Sequence, residues 1–259
     1  MSGRSRCRRP PRALRHGHRL RPQTVRRGSV AARDRGPLLT AAVVVIRPLL
    51  MVLTRREWHG AQHLSEHGFV LAANHISHTD PLVLAHFVND AGIPPRFLAK
   101  AGVLAVPGLG RLLRATGQIP VYRDSADAVL ALGEAVAAVE RGECVIIYPE
   151  GTLTRDPQLW PMVGKTGAVR IAIATGCAVI PVAQWGAQQI LRPYARVPRL
   201  LPRATIKISA GPPVDLDDLR RQPLTTAVLR EGTARIMAAI TAQLRPLRGP
   251  QPMSGRAAG

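Results

Sequence analysis

From Trp58 onward, short apolar runs alternate with stretches of helical periodicity, and no other feature of the chain constrains its fold as much. Strands are expected over residues 69–73, 96–99, 118–122, 144–147, 179–183 and 204–209. Helices are expected over 81–89, 109–115, 125–141, 167–175 and 226–244. Between residues 126 and 139 the apolar side chains recur with a spacing near that of a helix turn, and Gly142 closes the segment. Strand–helix alternation predicts an α/β fold, a sheet covered by helices on both faces. Ligands of such sheets sit at the carboxyl ends of the strands and in the loops that follow.

One of those loops carries chemistry. Asn74-His75-Ile76-Ser77-His78-Thr79-Asp80 follows the first apolar run and precedes a helix-like segment. A histidine can take a proton from an alcohol near neutral pH when a carboxylate fixes its tautomer and steadies the imidazolium. His75 and Asp80 therefore read as a dyad that activates a substrate hydroxyl, with no serine nucleophile required. The competing reading is structural: Asp80 as helix N-cap with Pro81 at the first helical position.

Three further blocks follow in order: Gly117-Gln118-Ile119-Pro120-Val121-Tyr122-Arg123, Tyr148-Pro149-Glu150-Gly151-Thr152 and Val179-Ile180-Pro181-Val182. Together with the Asn-His-x-Ser-x-x-Asp segment they resemble the glycerolipid acyltransferase family, whose bacterial members acylate lysophosphatidic acid. The resemblance runs from about residue 58 to 214 and implies a mixed α/β sheet covered by helices on both faces. It implies His75 as general base, Asp80 as its orienting partner, and Arg123, Glu150 and Gly151, with Thr152, as holders of the acceptor. It also implies Lys100, after an apolar run, as a phosphate-binding cation. The chain departs from the family where an arginine commonly follows the threonine: Leu153 stands there, which leaves Arg155 and Lys165 as alternative cations.

The chemistry fits these residue types. Attack of a glycerol hydroxyl on an acyl thioester needs a base, a polar clamp on the acceptor and stabilisation of the oxyanion. Arginine and lysine suit a phosphate. Pro149 and Gly151 suit a turn, which needs no glutamate, so Glu150 is expected to bind a glycerol hydroxyl. Amides of residues 74–79 or 150–152 are the alternative oxyanion donors. The donor is expected to be acyl-CoA or acyl carrier protein, and no cofactor is expected because the thioester supplies the driving force.

Several motifs fail. Gly164-Lys165-Thr166 lacks the earlier glycine of a P-loop, and Gly108-Leu109-Gly110 lacks the third glycine of a dinucleotide fingerprint. His59, His63 and His67 recur every fourth residue, but Gly60 and Gly68 interrupt any helix, so no metal is expected. Cys7, Cys144 and Cys177 have no paired spacing and suit reduced thiols in a cytoplasmic setting.

Charge divides the chain. Residues 1–35 hold twelve arginines against the single acid Asp34, a net of +11 that leaves +9 of the total +20 for the rest. Residues 1–36 read as a disordered basic leader, either without a role or drawn to anionic headgroups. Residues 37–56 read as a membrane-associating helical segment: too short to span and broken by Arg47 and Pro48, it is either an interfacial helix or one packed on the core. Residues 57–248 form the expected acyltransferase domain, and 249–259 a disordered tail. The segment 192–203, rich in Arg and Pro, reads as a surface loop, either resting on a membrane or without a partner.

The function expected from this is acyl transfer to a lysophospholipid at the cytoplasmic face of the cell membrane, with lysophosphatidic acid as acceptor. Glycerol 3-phosphate, another lysophospholipid or an amino-lipid are alternative acceptors. A basic module binding membrane or nucleic acid is the alternative of another class. With three Phe, three Trp and three Tyr for base stacking, nucleic acid is not expected as a partner.

Overall fold

The computed structural model describes residues 36–65, 67–121 and 127–249. The basic leader through residue 35, with Cys7, together with Arg123 and the tail from residue 250, lies outside the described residues. In chain order the elements are α1 (Gly36–Leu53), β1 (Thr54–His59), β2 (Phe69–Ala73), α2 (Asp80–Asp90), β3 (Pro95–Lys100), α3 (Ala101–Leu104), α4 (Leu109–Ala115) and β4 (Ile119–Val121). They continue with α5 (Asp127–Glu140), β5 (Cys144–Ile147), α6 (Gly167–Thr175), β6 (Ala178–Trp185), α7 (Ala187–Ile190), β7 (Ala204–Ala210), α8 (Asp217–Arg220) and α9 (Thr226–Arg248).

The strands form one sheet in the order β1-β7-β6-β2-β5-β3-β4. Strands β2 to β6 run parallel to one another. Strand β7 runs antiparallel to β6, and β1 runs parallel to β7, so the sheet is mixed. This reversal brings the amino ends of β1 and β7 to the edge where the other five strands end.

A parallel strand covered on both faces is apolar throughout, and all five residues of β2 are buried. Phe69, Leu71 and Ala73 pack with Leu84 and Phe87 of α2 in one layer. Val70 and Ala72 point the other way, against Ala135 of α5, Val169 and Ile171 of α6, and Ile236 and Ile240 of α9. Truncating a side chain such as Leu71 at this centre would cost about 2–5 kcal/mol. The Cys144 and Cys177 side chains are buried among these apolar groups.

Strand β1, with the sequence Thr-Arg-Arg-Glu-Trp-His, has no apolar pattern of its own and forms by pairing along β7 from Thr54↔Ala204 to His59↔Ser209. Residues 54–56, expected in the membrane-associating segment, therefore belong to the sheet. His59 ends this strand and His63 lies in a 3-10 turn (Ala61–His63), so the three spaced histidines share no helix face. Helix α1 buries Leu39 and Leu50 and exposes Val44, Val45, Leu49 and Val52. Its Arg47 Nε donates to Asp90 Oδ1 at 2.9 Å, and Arg56 Nη1 reaches Asp90 Oδ2 at 3.3 Å, tying α1 and β1 to the end of α2. Among the described residues, no helix is long and apolar enough to cross a membrane.

Candidate active site

The loop after β2 turns sharply into α2, and Asp80 organises it. His75 Nδ1 lies 2.8 Å from Asp80 Oδ2. The same oxygen accepts the amides of Ile76 at 2.6 Å and Ser77 at 2.8 Å. Thr79 occupies the N-cap position and Asp80 is the first residue of α2, so the expected aspartate cap is replaced by a carboxylate folded back into the loop. Asp80 is completely buried, and burial pushes its carboxyl above the ordinary range against the pull of His75 and the two amides. An ionised Asp80 accepts the Nδ1 proton, which leaves His75 Nε2 as the free base. His75 keeps 16% of its side chain exposed, enough to meet a substrate.

Ser77 is structural. Its hydroxyl donates to the carbonyl of Leu191 at 2.7 Å and lies 2.9 Å from Thr79 Oγ1, whose own hydroxyl reaches the Ala187 carbonyl at 3.3 Å. These bonds fasten the His75–Asp80 loop to α7 and its exit.

From the other side the turn after β5 holds the same loop. Gly151 N–H bonds the Tyr148 carbonyl at 2.9 Å, with Pro149 and Glu150 between them and Gly151 at φ +67°. Glu150 is 4% exposed, and its two carboxylate oxygens accept the amides of His75 (3.0 Å) and Met162 (3.1 Å). The carbonyl of His75 accepts the Thr154 amide at 2.8 Å. The main chain of His75 is thus bonded on both sides by the 150–154 segment. Burial raises the Glu150 carboxyl above its ordinary range, while the Met162 and His75 amides pull it down. The expected glycerol-binding role leaves this arrangement unexplained, because both oxygens already serve backbone donors.

The Tyr148 ring stacks on the His75 imidazole, with centroids 4.1 Å apart and planes 18° from parallel. Asn74 and Gln184 interlock: Asn74 Nδ2 donates to the Gln184 carbonyl (3.1 Å), Asn74 Oδ1 accepts the Gln184 amide (2.8 Å), and Gln184 Nε2 donates to the Asn74 carbonyl (2.8 Å). Sequence reasoning passed over Gln184 and Thr154, and it named Tyr148 in a motif without giving it a role. The one signal for Gln184 was a lone amide at the end of the apolar β6 run.

Lys100 ends β3 at the same edge as the dyad and is exposed. Arg123 follows β4, whose Val121 lies beside Lys100 in the register. Leu153, in place of the family's arginine, is a core residue at 3% exposure. Lys165 takes the more central position of the two alternative cations: a Cβ placed on Gly151 would come within 3.2 Å of its Cε. Arg155 is exposed, with its amide 3.3 Å from Met162 Sδ. Thr152 is half-buried beside these groups. The amides of His75, Ile76, Ser77, Thr79 and Gly151 are all engaged in bonds within the two segments. A cleft of about 740 Å³ lined by His67, Pro94, Arg96 and Glu143 lies at the opposite edge and shares no residue with the dyad.

These residues coincide with a known pattern. A 1-acyl-sn-glycerol-3-phosphate acyltransferase from Brassica napus chloroplasts is 32% identical over 123 residues, 47% of this chain and 34% of that one. A lyso-ornithine lipid O-acyltransferase from Pseudomonas aeruginosa is 37% identical over 111 residues, 43% of this chain and 40% of that one. The chain thus spans less than half the length of these relatives. The crystal structure of the 1-acyl-sn-glycerophosphate acyltransferase from Thermotoga maritima superposes with a TM-score of 0.60 at 22% identity, covering 85% of each chain, and so shares the fold. The acyltransferase family model matches residues 55–185, which contain the His75–Asp80 pair, Lys100 and the Glu150 turn: the chain belongs to the acyltransferase family.

Proposed function

We propose that the chain transfers an acyl group from an acyl-CoA or acyl-carrier-protein thioester to the free hydroxyl of lysophosphatidic acid. The observation that carries this reading is the 2.8 Å contact between His75 Nδ1 and Asp80 Oδ2 in a loop whose only serine is bonded elsewhere. His75 Nε2 takes the proton as the hydroxyl oxygen attacks the thioester carbonyl and the new C–O bond forms. The tetrahedral oxyanion is met by backbone amides of the 74–79 loop or the 150–152 turn. It then collapses with cleavage of the C–S bond, and the imidazolium returns its proton to the leaving thiolate. Glu150 positions His75 through the backbone. Lys100, Lys165 and Arg123 hold the acceptor's phosphate, with Gly151 and Thr152 against the glycerol. The enzyme works at the membrane, where acceptor and product reside.

An amino-lipid acceptor is the second reading, favoured by the Pseudomonas aeruginosa relative and by the loss of the arginine after Thr152. Mass spectrometry of products from purified protein with acyl-CoA, and separately with acyl carrier protein thioester, and a panel of defined acceptors separates the two. Phosphatidic acid as the dominant product supports the first. Acylation of lyso-ornithine lipid alone would replace it with the second, and no acylated product from either donor would overturn both.

A further inference from the structure

Residues 157–214 contain no acidic side chain and seven basic ones. Four of the seven, Arg192, Arg196, Arg199 and Arg203, lie on the segment between α7 and β7, and all four are exposed. Apolar side chains stand exposed between them: Val197 at 78%, Leu200 at 45% and Leu201 at 80%. Single exposed leucines are ordinary, but a short segment that alternates bare aliphatics with bare cations marks an interaction surface.

The topology says where that surface lies. Because β7 runs against β6, the segment feeding β7 arrives at the carboxyl edge of the parallel strands, the edge that carries His75. Strand β1 starts beside it, Thr54 opposite Ala204, so α1 comes down at the same place. Arg203 Nη2 joins the two by donating to the Met51 carbonyl at 2.8 Å and the Thr54 carbonyl at 3.1 Å. The exposed Val44, Val45, Leu49 and Val52 of α1 extend the apolar character away from that junction. At its other end the segment touches the active site: Leu191 accepts the Ser77 hydroxyl, and Tyr194 OH donates to the Leu153 carbonyl at 3.3 Å.

We propose that residues 192–203 are a docking loop for an anionic lipid surface, acting jointly with α1. Val197, Leu200 and Leu201 enter the boundary between headgroups and acyl chains, and Arg192, Arg196 and Arg199 meet lipid phosphates. Attachment at this edge presents the dyad to acceptors still seated in the bilayer, a consequence that rests on the acyltransferase reading above. An acidic protein would meet the arginines but would leave the bare aliphatics of both elements unused, which favours lipid.

The test uses the full chain with two double variants, Leu200→Asp with Leu201→Asp, and Arg196→Glu with Arg199→Glu. Sedimentation with vesicles of phosphatidylcholine, with and without phosphatidylglycerol, reads docking. Turnover of a long-chain acceptor in vesicles against a short-chain acceptor dispersed as monomers reads its consequence. Each variant should bind phosphatidylglycerol vesicles about tenfold more weakly or less, keep its thermal melting, and keep its rate on the monomeric acceptor. Unchanged vesicle binding in both variants overturns the proposal, including the case in which only turnover from an acyl-carrier-protein donor falls. An equal loss on monomeric and vesicle acceptors overturns it too, since the loop would then serve the site directly. If the wild type acylates no acceptor, the functional reading fails while vesicle binding still decides the loop.

Discussion

Glu150 accepts the main-chain amide of His75 at 3.0 Å, so a carboxylate seventy-five residues downstream fixes the backbone of that histidine. Its other oxygen binds the Met162 amide, which ties His75 to the 150–166 segment as a whole. Trp160, on that segment, is in turn covered by Arg248 from the end of α9, with the guanidinium 4.0 Å from the ring centroid.

Replacing Glu150 by glutamine should therefore act on kcat. The amide nitrogen is a donor facing another donor, so one of the two backbone bonds is lost and the His75 loop shifts. A fall in kcat of about 10–100-fold with little change in acceptor KM is expected. Steady-state kinetics over a range of acceptor concentrations check this. A change confined to KM would restore Glu150 to the acceptor pocket.

Asp80→Asn keeps an oxygen that accepts the Ile76 and Ser77 amides and the His75 Nδ1 proton, but it removes the charge that steadies the imidazolium formed when Nε2 takes a proton. The fold should survive, and relief of a completely buried charge should leave thermal stability equal or higher. The rate should fall by roughly 10²–10⁴-fold. Circular dichroism melting beside an acyl-transfer assay measures both.

Acidification should separate activity from stability. Burial raises both Asp80 and Glu150, so their protonated forms are reached above the ordinary aspartate value of 3.8 and glutamate value of 4.5. Activity needs both ionised, so the acid limb of kcat/KM should lie above those values. Stability runs the other way. A carboxyl with a raised folded-state value contributes fully below its unfolded value and loses that contribution as pH rises through the folded one. Protonating these two groups should therefore not unfold the chain. A pH–rate profile measured with urea midpoints over the same range tests the pair of statements.

Asn74→Ala removes both side-chain bonds to Gln184 and leaves the buried amide and carbonyl of Gln184 without those partners. A loss of about 2–6 kcal/mol of unfolding free energy is expected, from two buried groups at about 1–3 kcal/mol each. Urea denaturation gives the value directly.

The sheet was legible where a strand is buried on both faces. The apolar runs at Phe69–Ala73 and Cys144–Ile147 coincide with β2 and β5, since such strands need continuous apolar residues. Strand β1 was not, because Thr54–His59 lies at the sheet's edge, is partly exposed and owes its conformation to pairing with residues about 150 positions away. The reversal of β7 was hidden for a related reason: its alternating burial is the same whichever way the strand runs. In the site, His75 and Asp80 were readable because five residues of local chain bring them together. The glutamate clamp was not, because a carboxylate that binds backbone amides looks in sequence like one that binds substrate.

The central claim is that His75 Nε2 removes the acceptor's proton. Acyl transfer from labelled acyl-CoA to lysophosphatidic acid by the purified full chain, beside His75→Ala at equal folded concentration, tests it most directly. A fall of roughly 10²–10⁴-fold or more in kcat, with vesicle binding and melting temperature unchanged, is the predicted result. Turnover by His75→Ala within a factor of about two of the wild type, less than half a kcal/mol in barrier, would contradict it.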